Sequence, residues 1–146
     1  MESLSFDARP VPHGPRAYRT KIRGMGPLLG LVPPAAMGAL AWLLVHGNAS
    51  TVRGVAGFLL GVLAAPVMLV AGVPLEGSTA VYAVSVVASG LLWLLIGVTA
   101  SRRATRTPVA SWRDFWREYL WLAGGVWLGT VGALVAANLV LGRTLV

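Results

Sequence analysis

The sequence predicts an all-α integral membrane protein, a small bundle of four helices of transmembrane length. Three observations carry that expectation. Apolar residues make up 56% of the 146 residues and charged ones only 12%, with a mean hydropathy of +0.73; soluble domains run to about a quarter charged. Four apolar segments, at 25–46, 54–75, 79–100 and 119–141, have no charge in their interiors. Each reaches the ~20 residues needed to cross a hydrocarbon core. The net charge of +7 gathers in two basic clusters beside these runs, where positive residues meet anionic lipid headgroups and set topology. That placement argues against nucleic acid as a partner. Spans of this composition are helices, because an open sheet would leave unpaired backbone groups in lipid.

Residues 1–24 form a basic tail that carries Pro10, Pro12 and Pro15 and ends in "RAYRTKIRG". The prolines oppose a stable helix before Ala17, so the tail is expected to be disordered. Residues 25–146 form the single membrane domain. In the first segment, Pro33-Pro34 removes two consecutive donors, and Gly24, Gly26, Pro27 and Gly30 weaken the part before it. The better helix there runs from Pro33 to His46, about 21 Å long at ~1.5 Å per residue and shorter than a ~30 Å core. The segment is expected to be kinked, tilted or re-entrant. In the second segment Pro66 has helix-forming sequence on either side, and only a kink is expected. The short links "HGNASTVRG" and "PLEGS" make successive segments antiparallel. Before the fourth segment, Ser111 and Asp114 stand in capping-box spacing after Pro108. They predict an amphipathic interfacial helix over 111–119 that leads into helix four.

Charge does not settle sidedness. With four crossings and the tail inside, Arg9, Arg16, Arg19, Lys21, Arg23 and Arg143 face Arg53, Arg102, Arg103, Arg106, Arg113 and Arg117, six against six. If the first segment fails to cross, all but Arg143 fall on one side, eleven against one. Hydropathy favours four crossings and charge favours three; tied charge would also suit insertion in both orientations. The bias of eleven arginines to one lysine, Lys21, with abundant Gly, Ala and Val, points to a bacterial cell (plasma) membrane, crossed several times.

Trp112, Phe115, Trp116 and Tyr119 recur at helical spacing and share one face, with Arg113 and Arg117 on the other side. Aromatics beside snorkelling arginines read as interfacial anchors, and also as a docking surface for a partner. Gly57, Gly61 and Ala65 on helix two, and Gly125, Gly129, Ala133 and Ala137 on helix four, form small-residue ladders at intervals of four. Such ladders let helices approach closely. Packing of helix two on helix four, self-association and a foreign helix all remain open. Glu76, in "PLEGS", is the candidate ion or ligand carboxylate, against the plainer reading of an exposed interfacial acid. Cysteine is absent and only His13 and His46 are present, so disulfides, thiol chemistry and an imidazole-rich metal site are not expected. No acid pair, triad or phosphate loop stands out, and no cofactor is expected. The resulting expectation is a non-catalytic accessory, assembly or structural subunit of a larger membrane complex, partnered by lipid and by other subunits or itself. The alternative is a small homo-oligomeric channel, transporter or pore former.

Overall fold

A computed structural model describes residues 15–46, 50–72, 78–107 and 109–144. All regular elements among them are helices: α1 (Pro15–Leu29), α2 (Val32–Val45), α3 (Thr51–Ala64), α4 (Val67–Val70), α5 (Thr79–Ala104) and α6 (Trp112–Thr144). Three helices are long and apolar enough to cross a membrane, Tyr18–Val45, Thr79–Ala104 and Trp112–Val140. The second apolar segment supplies only the shorter α3 and a single turn, α4.

The differences from the sequence expectation lie at the prolines. Helix begins at Pro15, so residues 15–24 of the expected tail are the first part of α1. At Pro33-Pro34 the chain loses little direction. Leu31 keeps right-handed helical angles as the N-cap of α2 (φ −82°, ψ −17°), and the prolines fall in the first turn, where no intrahelical N–H is required. Pro66, expected to kink the second segment, ends it. Ala65 adopts φ −128°, ψ 71°, α4 lasts four residues, and Gly72 then turns the chain at φ 76°, a conformation open to glycine. The expected interfacial helix and helix four are one continuous α6.

α1 and α2 run antiparallel to α5, and the first turns of α6 run beside α1. Arg19 near the start of α1 reaches Thr105 at the end of α5, whereas Tyr119 on α6 reaches Gly30, just past the other end of α1. α2 and α3 form a closely packed antiparallel pair. The core lies where α1, α5 and α6 meet: Ile22, Trp93, Phe115 and Tyr119 are fully shielded, with Ala100, Ala104, Ala110 and Ala123 filling between them. Outside this junction the large apolar side chains face outward, including Trp42, Val84, Val87, Leu91, Trp121 and Leu128.

Candidate functional site

The fold contains two helix breaks at which freed backbone groups are satisfied by side chains of α5 and α6. Pro34 has no N–H, so the Gly30 carbonyl loses its helical donor. The Tyr119 hydroxyl donates to that carbonyl at 2.7 Å, in a buried setting. Beyond Pro66, Met68 N–H turns back to the Ala65 carbonyl, leaving Ala64 free. The Trp93 indole N–H donates to the Ala64 carbonyl at 2.7 Å, and the Val67 N–H donates to Ser89 Oγ at 3.3 Å. Trp93 and Tyr119 themselves sit 6.4 Å apart, centroid to centroid. A buried carbonyl left unpaired costs about 1–3 kcal/mol, so these donors allow both breaks to be buried. Trp127, 5.9 Å from Trp93, has a shielded indole N–H without a hydrogen-bond partner.

Of the anchor residues, Phe115 and Tyr119 lie in the core rather than at a surface. Their stripe is covered by α1, where a Cβ on Gly26 would strike Ser101 and Phe115, and one on Gly30 would stand 3.0 Å from Gly97 Cα. Trp112 and Trp116 are partly covered, and Arg113 and Arg117 are exposed. The capping box forms: Asp114 Oδ2 accepts from Ser111 N–H at 3.1 Å and Ser111 Oγ at 2.6 Å, while Asp114 N–H donates back to Ser111 Oγ at 3.3 Å. Nearby, Arg19 donates to the Thr105 carbonyl at 2.9 Å and Arg23 to its hydroxyl at 3.0 Å. Cations thus hold the carbonyl end of α5, as the helix dipole favours.

The two small-residue ladders part company. Gly57 faces α2, where an added Cβ would come within 2.7 Å of Val45 and 3.1 Å of the Ala41 carbonyl; Gly61 faces Ala41 at 3.7 Å. Ala65 ends α3 beside the break. The partner of this ladder is therefore α2, not helix four. Gly125 and Gly129 have nothing within 4 Å of a built Cβ, and Ala133 and Ala137 are exposed. The tightest crossing involves residues not read as a ladder in the sequence, Gly26 on α1 and Gly30 just after it, against Gly97 and Ser101 on α5. Both pairs have the same spacing of four, so a ladder search covering α1 and α5 would have found them. Glu76 lies outside the described residues.

Between α2, α3 and α5 lies an apolar groove of about 910 Å³. His46, Gly54 and Tyr82 line one end, and Leu31, Ala64 and Trp93 the other. His46 is exposed, stacks on Trp42 at 4.3 Å and places Nδ1 3.1 Å from the Trp42 carbonyl. Among the described residues no three His, Cys, Asp or Glu side chains come together as metal ligands. Arg103 and Arg117 flank Glu118 at 3.9 and 3.7 Å, an exposed network of the kind that contributes little to stability. Compared with known proteins, the chain matches no protein family, no curated protein and no solved structure.

Proposed function

We propose that the chain is a three-span membrane protein acting as a non-catalytic assembly or structural subunit of a larger membrane complex. The observation that supports this most directly is the uncovered second half of α6. Beyond Thr130 the helix packs little against the rest of the chain, and Val131, Val135 and Leu139 are all exposed, as is Leu128 just before. The face carrying Gly125, Gly129, Ala133 and Ala137 is smooth, and in lipid such a face gains most from a second helix packed on it. In this placement α3 and α4 enter from one side and return without crossing. Non-helical backbone at depth is tolerated when protein covers it, and Ser89 and Trp93 supply that cover.

A photo-cross-linker at Val131 in the native membrane tests the reading. Capture of a different membrane protein in fixed ratio, lost in Gly129→Ile while the chain stays folded, is the expected outcome. Undiminished capture in Gly129→Ile would overturn it. The proline-broken α3–α4 beside the groove favours a second reading, a homo-oligomeric transporter, because transporters build sites from discontinuous helices. Solute flux by the purified chain alone in liposomes would favour that reading over the first.

A further inference from the structure

We propose that the groove between α2, α3 and α5 holds the acyl chains of an anionic phospholipid from the leaflet on the side where α2 ends and α3 begins. The inference rests on the membrane placement above but not on the α6 face. Depth is the first argument. From Tyr82 at the mouth to Trp93 at the floor, α5 rises about 16 Å at ~1.5 Å per residue, close to half of a ~30 Å hydrocarbon core. The groove is one leaflet deep, and it ends where the Trp93–Ala64 hydrogen bond closes the break in α3. Lining is the second. Apart from His46, Tyr82 and Ser89, the walls are aliphatic, aromatic or small residues, a surface that acyl chains cover without needing polar partners.

Charge at the mouth selects the headgroup. Arg53, exposed in the first turn of α3, sits beside the lining Gly54, and His46 lines the same end. The described acids, Asp114 and Glu118, are both on α6 near its start, at the opposite end of the molecule. A phosphate at the mouth therefore meets a cation that no described acid neutralises. Arginine is suited to that role, because its planar fork matches phosphate oxygens.

Gly90 makes the test clean, since it lines the groove yet has nothing within 4 Å of a built Cβ. Gly90→Phe should fill the space without disturbing α5. The full chain is reconstituted with phosphatidylglycerol carrying a photoactivatable acyl tail, and the adducts are mapped by mass spectrometry. Adducts are expected at Phe58, Met68 and Val86, in excess over the outward face of α5 at Val84 and Val87. Gly90→Phe should lower the groove signal several-fold and leave the outer face unchanged. Phosphatidylethanolamine with the same tail should label less, and Arg53→Gln should erase that difference. Groove labelling no higher than the outer face, or indifferent to Gly90→Phe, would overturn the proposal. So would equal labelling by the two lipids, or a second protein chain cross-linked into the groove. Absence of lipid adducts at both faces would instead overturn the membrane placement.

Discussion

At the scale of single residues, two hydrogen bonds carry unusual weight because each serves a carbonyl freed by a proline-induced break. Tyr119→Phe keeps the ring in the core and removes only the donor to Gly30. The expected loss is about 1–3 kcal/mol of stability, the cost of a buried unpaired acceptor, read from detergent-denaturant titration. A loss below that range would mean that the carbonyl finds another partner. Ser111→Ala removes the reciprocal cap of α6 and is expected to cost about 1 kcal/mol in the same titration. The cap was legible from the Ser111–Asp114 spacing alone, because the geometry is local. The aromatic stripe was only half legible. Periodicity put Trp112, Phe115, Trp116 and Tyr119 on one face, but an aromatic stripe suits a headgroup layer and a helix junction equally. The glycines of α1 decide the matter by letting α1 lie over Phe115 and Tyr119.

At the scale of elements, proline position outweighs proline count. Two adjacent prolines leave the first long helix nearly intact because they occupy the opening turn of α2. One proline ends α3: Ala65 before it leaves helical angles, and α4 beyond it lasts a single turn. The sequence reading placed the strong break at Pro33-Pro34 by counting missing donors; it had no means of seeing which freed backbone groups would find Trp93, Ser89 or Tyr119. The ladders make a matched pair of predictions. Gly97→Val would drive a side chain into the Pro27 backbone, whose Cα and carbonyl oxygen are each 2.9 Å from a built Cβ. Overpacking of this kind costs about 1–3 kcal/mol and should lower thermal stability of the purified chain. Gly129→Ala meets open space and should raise helix stability by about 0.8–1 kcal/mol. A fall instead would show that the isolated chain packs this face on itself.

At the scale of the whole molecule, the fold sorts charge that the linear sequence could not. Arg16, Arg19, Lys21, Arg23, Arg102, Arg103, Arg106, Arg113 and Arg117 gather at the end where α1 begins, α5 ends and α6 begins. Arg53 and Arg143 belong to the opposite end. The sequence count was tied because it gave α3 and α4 a crossing. In the proposed three-span placement that crossing is absent, and the positive-inside tendency would put the basic end in the cytoplasm. Ser50 and Thr107 are both exposed, at opposite ends, in a chain without native cysteine. Ser50→Cys should react with an impermeant maleimide on intact cells, and Thr107→Cys only after permeabilisation. The reverse pattern, or equal reaction, would overturn the orientation.

The break after α3 also sets a schedule for biosynthesis. The Val67 N–H waits for a serine 22 residues later, and the Ala64 carbonyl for a tryptophan 29 residues later. At ~5–20 residues per second, one to six seconds of translation separate these groups from their partners. During that interval α3 can pack on α2, but the groups freed at the break have no partner until α5 has been made. Nascent chains stalled before Ser89 should therefore leave a cysteine at Val67 open to water-soluble reagents, and chains stalled well past Trp93 should close it.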